Sequence, residues 1–559
     1  MARAAPPAAV APPSLPLRER TDARAGIGLG ARAYRGVVAG CVAAVAAFLA
    51  LRLTAWPPHE DETLALFVGH EPLGTLLGTV LGERGGAPLH FLFAWIVAHL
   101  GGGFGGLRLV SALFALASIP VLAVLVERLA GRTEAAVAAV LASASWVFLF
   151  HAVYGRMYSI FLCLSALSYL ALLAALRDGG PRRWSLWGVA ILATVATHPY
   201  GALVLASQAV YVTATRERLR QAAVAFVAVA ALGTPFWLTN LVLARRFDVG
   251  VGGGGERLGG PLPVVRYLGS VAADFSAGPV VLPVVLALLA VGFVRLRRAR
   301  PRSALLAAAA FATPTAAFLL ARVGQSAAPE TRHLIFTLPF FAALLAAALV
   351  AVARSPRTGA PVAAAATGVL LAVGSVAWAF EKTPALFLGE PPERAEARAE
   401  LASWLARTGR PDDVLLGYDP VFLAAWRQDP SFSRFVLPRA DARLAASRLQ
   451  EAEGPLGRGV WVLNAAATTN GEQSLSIPLR LPRPADAFEA RTFGPYLVLR
   501  TREPTGTPER YLRYAAAAMI VGKTLFIGDA DINFQTISRA AAQLGYEASA
   551  SASRSTSSR

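Results

Sequence analysis

Charged residues are scarce in this sequence of 559 residues: they make up 16% of the chain, against 55% hydrophobic residues. Lysine is nearly absent, since only Lys382 and Lys523 interrupt an otherwise all-arginine set of basic residues. The two cysteines, Cys41 and Cys163, each lie inside an apolar run, so they are interpreted as small buried side chains and no disulfide framework is predicted. This composition excludes a disordered protein and disfavours a soluble globular one.

The net charge of +18 does not indicate a nucleic-acid partner. The arginines fall in short clusters between apolar runs, where the positive-inside rule places them in membrane proteins, whereas a nucleic-acid binder gathers them on one soluble face. We therefore predict a polytopic helical membrane protein of the cell membrane.

Eleven transmembrane helices are predicted from runs of roughly 17–25 apolar residues and from the arginine clusters. They cover approximately 36–55, 106–126, 134–152, 157–176, 184–198, 200–214, 221–243, 278–294, 303–320, 334–352 and 361–380. A basic tail, 1–33, is predicted to be disordered and cytoplasmic. The odd number of spans places everything after residue 380 on the extracytoplasmic side.

Two shorter amphipathic or apolar helices are predicted in the first outer loop, around 73–83 and 87–100. In the former, apolar residues recur at helical spacing while Thr75, Thr79 and Glu83 occupy the other face, which is typical of a helix lying in the membrane interface.

The C-terminal region changes character after a linker, 381–392. "DDVLLGYD", "RGVWVLN" and "FGPYLVLR" are typical of strands, and "ERAEARAELASWLARTG" and "ADARLAASRLQEAE" of helices. This alternation predicts a small extracytoplasmic α/β domain over 393–525, followed by a partly disordered tail, 526–559. "VGKTLF" lacks the first glycine of a phosphate-binding loop.

The segment "HEDET", residues 59–63, places Glu60, Asp61 and Glu62 just after the first span. They could form an ordinary solvated loop. Their position at a membrane boundary, before an interfacial helix, instead favours a functional site, because a carboxylate there can act as a base on an acceptor hydroxyl.

Several segments resemble the GT-C glycosyltransferases, in particular the protein O-mannosyltransferases and the aminoarabinose transferases of lipid A. They are, in order, "DETLALFVGHEP", "APLHFLFAWIVAHLGG", "LRLVSALFALASIPVLAVLVERLAG", "YGRMYSIF" and "TRHLIFTLPF". The resemblance spans roughly 36–380. It implies the GT-C fold, a polyprenyl-phosphate sugar donor, and Asp61, with Glu62 beside it, as the catalytic carboxylate.

Arg156 and Arg332 are the candidate ligands of the donor phosphate, because a guanidinium binds phosphate oxygens bidentately. The alternative for each is an ordinary arginine that reaches to the membrane interface.

Five further residues are candidates for lining the pocket: Tyr158, His198, Tyr200, His333 and Asp274. Gly86 stands where relatives often have His or Lys, and Tyr154 and Gly155 stand where they often have an acid, so the second carboxylate is missing or comes from elsewhere. The histidines show no metal-ligand spacing. No cofactor is predicted, and the sequence gives no support for a divalent metal.

The predicted function is an inverting transfer of a sugar from a polyprenyl-phosphate donor to an extracytoplasmic acceptor, which is a protein, a lipid or a cell-wall glycan. A transporter or lipid flippase is the alternative, although functional polar groups would then be expected near mid-membrane. A non-catalytic scaffold that binds cell-wall polymer is a third.

Single cysteines test the predicted sidedness. The arginine clusters place residue 180 in the cytoplasm, and residues 61, 330 and 450 outside. An impermeant thiol reagent applied to intact cells should label the last three and spare residue 180. Labelling at 180 but not at 61 would invert the whole arrangement.

Overall fold

The computed structural model describes residues 28–248, 260–320, 329–417, 419–439, 442–465, 487–524 and 529–545. Most of the predicted basic tail, most of the glycine-rich segment before residue 261, and the predicted low-complexity C-terminus lie outside these ranges. The helices up to residue 382 are α1 (Ala31–Arg52), α2 (Glu60–Gly69), α3 (Leu73–Gly78) with a π-helical turn (Thr79–Arg84), α4 (Pro88–His99), α5 (Phe104–Leu129), α6 (Arg132–Ala144), α7 (Trp146–Val153), α8 (Tyr158–Asp178), α9 (Pro181–Thr197), α10 (Gly201–Thr215), α11 (Leu219–Leu232), α12 (Thr234–Asp248), α13 (Pro261–Asp274), α14 (Leu282–Ala299), α15 (Pro301–Leu320), a 3₁₀ helix (Thr331–Thr337) continued by α16 (Leu338–Ala353), and α17 (Ala360–Lys382).

Six of the described helices are long and apolar enough to cross a membrane: α1, α5, α8, α15, the continuous run Thr331–Ala353, and α17. Two bent pairs, α6–α7 and α11–α12, raise the number to eight if each pair is one span. The other predicted spans fall on α9 and α10, which have 17 and 15 residues, and on α14, which carries Arg295, Arg297 and Arg298. The chain is a multi-pass membrane protein, but the predicted count of eleven is not confirmed.

The predicted helices of the first outer loop are present as α3, with its π-helical turn, and α4. Helix α2 before them was not predicted. It packs against α4 and against α20 (Asp419–Gln428) of the C-terminal region.

The bend between α6 and α7 is 60°, with Ser145 in an extended conformation at the break. The segment 154–157, between α7 and α8, lies beside the first turn of α2, because Tyr154 contacts Asp61 and Gly155 contacts Glu62.

The C-terminal region is a five-stranded mixed sheet with helices. Its elements are α18 (Ala385–Leu388), α19 (Pro392–Thr408), β1 (Val414–Gly417), α20, β2 (Val436–Leu437), α21 (Ala442–Gln450), β3 (Gly459–Asn464), β4 (Phe488–Phe493), β5 (Tyr496–Thr501), α22 (Pro508–Thr524) and α23 (Asp529–Gln543). The strand order is β2-β1-β3-β5-β4; β1 runs parallel to β2 and β3, while β5 runs antiparallel to β3 and β4.

The three strands predicted here correspond to β1, β3 and β5, and the two predicted helices to α19 and α21. Strands β3 and β5 are buried along their whole length, which explains their continuous apolar sequences. Helix α23 packs on α21 and α22, so ordered structure extends past residue 525, where the tail was predicted to begin. Gly522 lies inside α22, which rules out a phosphate-binding loop there.

One apolar cluster joins the two regions. Leu66 of α2 and Phe91 of α4 belong to the same buried cluster as Phe422 of α20 and Val460 of β3. Burial of such side chains stabilises their association by roughly 1.5–3 kcal/mol each. Helix α2 is consequently held between the membrane helices and the sheet.

Candidate active site

The segment HEDET is the start of helix α2. The backbone N–H of His59 donates to Oε2 of Glu62 at 3.1 Å, and the backbone N–H of Asp61 donates to Nδ1 of His59 at 3.2 Å. These reciprocal bonds satisfy amides that a helix start leaves free, and the helix dipole favours acids in the first turn. The acids therefore belong to a capped helix and not to a solvated loop.

Glu62 is fully buried and paired with Arg108 of α5. Nε and Nη2 of Arg108 donate to the two carboxylate oxygens at 2.8 and 2.7 Å. The other donors of Arg108 reach the backbone carbonyls of Leu53, Trp56 and Pro57 at 2.7–3.0 Å. This single guanidinium ties the loop before α2 to the first turn of α2.

Gly155 approaches the same carboxylate from the other side. Its backbone N–H donates to Oε1 of Glu62 at 2.8 Å, and a Cβ at this position would lie 2.8 Å from that oxygen. A larger residue would push Glu62 away. Gly155 stands where relatives often have an acid, and here the space is filled by Glu62.

Asp61 faces a polar cluster formed by the segment between α7 and α8. The Tyr154 hydroxyl donates to Oδ2 of Asp61 at 2.9 Å and also lies 2.9 Å from Nδ1 of His59. Nη1 of Arg156 lies 3.4 Å from Oδ1 of Asp61. The Asp61 side chain is 24% exposed, so it can still meet a reactant.

The pKa of Asp61 lies well below the usual range of a carboxyl group. Burial alone would raise it, but the positive charge of Arg156, followed by His59 and Arg332, and the hydrogen bond from Tyr154 outweigh burial. Burial would lower the pKa of the Arg156 guanidinium, but Asp61, Tyr154 and Tyr158 together outweigh burial and raise it. Asp61 is therefore a carboxylate throughout the neutral range.

Arg332 lies in the 3₁₀ helix that precedes α16. Its guanidinium carbon is 5.2 Å from the centre of the Tyr158 ring, and Nη2 lies 2.5 Å from Oε1 of Glu330. It acts on Asp61 through charge, as does Arg156. The two arginines predicted from the motifs thus share one cluster with the predicted carboxylate.

Four of the predicted pocket residues also meet. Ring centroids are separated by 5.5 Å between Tyr158 and His198, 5.3 Å between His198 and His333, and 5.1 Å between Tyr200 and His333. Nδ1 of His198 and Nδ1 of His333 each accept a backbone N–H, from Tyr200 and Glu330 respectively. Their Nε2 atoms therefore carry the proton of the neutral imidazole.

Several buried nitrogens around this cluster have no hydrogen-bond partner in the described part of the chain: Nε of Arg156, Nε of Arg332, and both ring nitrogens of His151. Buried donors are normally satisfied, so unpaired ones require a ligand or water. Two guanidinium nitrogens with this property are suited to binding an anion.

Asp274 is not brought to this cluster. Its carboxylate lies 2.5 Å from Nζ of Lys382 and accepts a hydrogen bond from Nε1 of Trp378 at 3.1 Å, so it joins α13 to α17. Asp274, which was a candidate for lining the pocket, therefore pairs with α17 and not with the residues around Asp61. Glu60 pairs with Arg439 of the C-terminal region.

The sequence analysis did not identify Tyr154 or Arg108 as site residues. Arg108 could have been recognised from the sequence, because an arginine inside an apolar span requires a buried partner. Tyr154 could not have been recognised, since tyrosines are common at the ends of membrane spans.

Within the described ranges, no group of three or more His, Cys, Asp or Glu side chains is arranged to hold a metal ion.

Glu62→Gln should destabilise the protein by about 3–5 kcal/mol, because it leaves the buried Arg108 without its counter-charge. Glu509→Gln, which removes an exposed ion pair with Arg513, is the matched control and should change stability by less than about 1 kcal/mol. Unfolding in detergent, monitored by circular dichroism, measures both. Equal stability of the two variants would show that Arg108 does not depend on Glu62.

Residues 85–241 match the family described as dolichyl-phosphate-mannose-protein mannosyltransferase. No curated protein sequence matches the chain. Among solved structures, ArnT from Cupriavidus metallidurans is 16% identical in its apo state, with a TM-score of 0.51; the match covers 83% of this chain and 98% of ArnT. ArnT bound to undecaprenyl phosphate gives 15% identity, the same TM-score of 0.51 and the same coverage, 83% and 98%.

The oligosaccharyltransferase of Archaeoglobus fulgidus in its apo form is 9% identical with a TM-score of 0.50, over 78% of this chain and 70% of that one. At such low identities the likeness concerns the fold. The chain has the fold of the GT-C glycosyltransferases, the family that its sequence motifs resemble.

Proposed function

We propose that this protein is a membrane glycosyltransferase that moves a sugar from a polyprenyl-phosphate donor to an acceptor hydroxyl at the extracytoplasmic face. The observation that carries the proposal is the cluster at the start of α2. There, one carboxylate, Asp61, lies beside Arg156, and the charge of Arg332 also acts on it; among the described residues, each arginine has a buried Nε without a hydrogen-bond partner.

The arginines are assigned to the donor phosphate. A guanidinium offers a planar pair of donors that matches phosphate oxygens, and the unpaired Nε atoms of Arg156 and Arg332 belong to such pairs. ArnT of Cupriavidus metallidurans, which shares the fold, binds undecaprenyl phosphate. The aromatic and histidine rings around Tyr158 would then surround the sugar.

Asp61 is assigned to the acceptor. In the free enzyme, Arg156 and Arg332 hold its pKa low, which makes it a weak base. When the donor phosphate neutralises the two arginines, this pull on Asp61 weakens and its basicity rises toward the range useful for proton transfer. Donor binding would thus prepare the base for proton transfer from the acceptor hydroxyl.

The proposed chemical step is a single displacement. The acceptor oxygen forms a bond to the anomeric carbon while the bond between that carbon and the phosphate oxygen breaks, which inverts the anomeric centre. The lipid phosphate leaves with the bonding electron pair, stabilised by the two arginines. The acceptor proton passes to Asp61.

Glu62 is assigned a positioning role and not a catalytic one. Both of its oxygens are already engaged, by Arg108, by the backbone N–H of His59 and by that of Gly155. Tyr154 orients Asp61 through its hydroxyl. One carboxylate is sufficient for the reaction, because the lipid phosphate needs no acid to leave.

Asp61→Asn should lower turnover by about 10²–10⁴-fold, because it removes the proton acceptor while keeping the shape of the side chain. Sugar transfer or release from a radiolabelled lipid-linked donor measures this, with donor affinity and detergent stability recorded alongside. Glu60→Gln is the control and should keep most of the activity. Wild-type turnover in folded Asp61→Asn protein would remove Asp61 from the mechanism; lipid movement without sugar release by the wild type would favour a flippase.

Infrared difference spectra of wild type minus Asp61→Asn should show an ionised carboxylate, with no protonated carboxyl band, at about pH 3, below the ordinary titration of an aspartate. The reason is that a depressed pKa keeps Asp61 ionised at pH values below the usual titration near 3.9, so the stability it contributes is lost only as pH falls through the lower folded value.

Undecaprenyl phosphate should then raise the pH at which the protonated band appears. Arg332→Ala should reduce that displacement, because one of the two phosphate contacts is lost. A protonated band in the free wild type at about pH 3, or a band position unaffected by the lipid phosphate, would contradict the proposed coupling.

A further inference from the structure

A cavity of about 60 Å³ lies at the other end of α2 from Asp61, where α2 meets α20, β2 and α21. Its apolar wall includes Phe67, and its polar groups come from both regions of the chain: His70 and Glu71 at the end of α2, and Trp426, Arg434 and Arg448 opposite. None of these polar residues takes part in the cluster around Asp61.

Trp426 is the central side chain of the cavity. Arg434 lies over its ring at 3.9 Å, and the edge of the ring contacts His70 at 4.4 Å between centroids. Although the residue is only 8% exposed, its Nε1 has no hydrogen-bond partner in the described part of the chain. A buried indole N–H normally has an acceptor, so this donor requires a ligand atom or water.

His70 supplies a complementary acceptor. Its Nδ1 lies 2.7 Å from the carbonyl oxygen of Leu66, which can only accept, so Nδ1 carries the proton. Burial lowers the pKa of His70, and the nearby Arg434 and Arg427 lower it further, against the effect of the Leu66 bond. The imidazole is thus neutral, and its Nε2 is an acceptor.

Glu71 and Arg448 complete the polar lining. Their closest charged atoms are 3.6 Å apart, which is too long for a hydrogen bond. The pair therefore retains acceptor and donor capacity at the mouth of the cavity, where both side chains are about one-third exposed. A group placed between them can accept from Arg448 and donate to Glu71.

We infer that this cavity binds a hydroxylated sugar unit of the acceptor. A hydroxyl both donates and accepts, and the polar residues that line the cavity offer both kinds of partner: Trp426 and Arg448 donate, while His70 and Glu71 accept. The apolar wall suits the C–H faces of a sugar ring.

The volume limits what can enter the cavity. A water needs roughly 10–15 Å³ on this measure, so the cavity takes about four to six waters. That space fits the hydroxylated edge of one sugar ring, with the remainder of the molecule outside. The nine residues from Asp61 to His70 span about 13 Å of helix, a distance that a short oligosaccharide covers.

This inference rests on the proposed function, since it names the acceptor class of the same reaction. It is tested by binding, whereas the reaction is tested by sugar release from the donor. The probes are three trisaccharides, built of glucose, mannose or galactose, each alongside its fully O-methylated form, which can no longer donate hydrogen bonds. The full-length protein in nanodiscs carries 5-fluorotryptophan, and Trp426→Phe assigns the resonance of Trp426.

At least one trisaccharide should move the Trp426 resonance saturably, and its O-methylated form should not. Glu71→Gln should weaken that binding by roughly tenfold, because one charge-assisted hydrogen bond is lost. Glu453→Gln, an exposed acid that does not line the cavity, is the matched control and should bind like wild type.

Two outcomes would overturn the inference while leaving the proposed reaction intact. If no trisaccharide moves the resonance, the cavity holds water only. If inorganic phosphate moves it and the trisaccharides do not, Arg434 and Arg448 form an anion site. Failure of the wild type to release sugar from any lipid-linked donor would instead contradict the proposed function, whatever the cavity binds.

Discussion

The buried pair between Arg108 and Glu62 is the interaction on which the geometry of the cluster depends. Burying two charges costs several kcal/mol per ion, and only complete hydrogen bonding offsets it. Here the guanidinium places its donors on both oxygens of Glu62 and on three backbone carbonyls, Leu53, Trp56 and Pro57. The end of α1, the connecting loop and the first turn of α2 become one rigid unit, so Asp61 has little freedom to move relative to Tyr154 and Arg156.

The charges around Asp61 are balanced at both ends of the proposed reaction. Before transfer, the positive charges of Arg156 and Arg332 face the carboxylate of Asp61 and the single negative charge of a phosphodiester donor. Afterwards, Asp61 is protonated, and the phosphate has become a monoester with a charge of roughly −1.5 to −2. As the bond breaks, negative charge moves from Asp61 to the phosphate, so the arginines stabilise more charge on the leaving phosphate than on the donor phosphate of the ground state, which is the condition for lowering a barrier.

The sequence carried most of the information about where the cluster lies, because Asp61, Arg156 and Arg332 each stand at the end of an apolar run. The structure brings these three together, with Tyr158 and His198 close by, although they come from four separate segments. It could not be foreseen that Glu62 is enclosed, since its partner Arg108 lies far along the chain. Strand β2 has two residues and α2 begins with three acids, so neither shows the periodicity by which elements are recognised. The number of spans could not be predicted from the sequence either, because bends such as that at Ser145 divide apolar runs that look continuous.

Helix α2 contacts both the membrane helices and the C-terminal region, and these contacts fix the position of the C-terminal region relative to Asp61. Its first turn is fixed to α5 by Glu62, while Glu60 of that turn pairs with Arg439, and its apolar face shares a buried cluster with α20 and β3. A ten-residue helix clamped at its start cannot tilt without breaking one of these contacts. A ligand bound at the end of α2 would consequently lie at a fixed distance from Asp61, because both sites belong to the same helix. If the proposed acceptor site is occupied, the C-terminal region would set the distance along the acceptor between the bound sugar and the reacting hydroxyl.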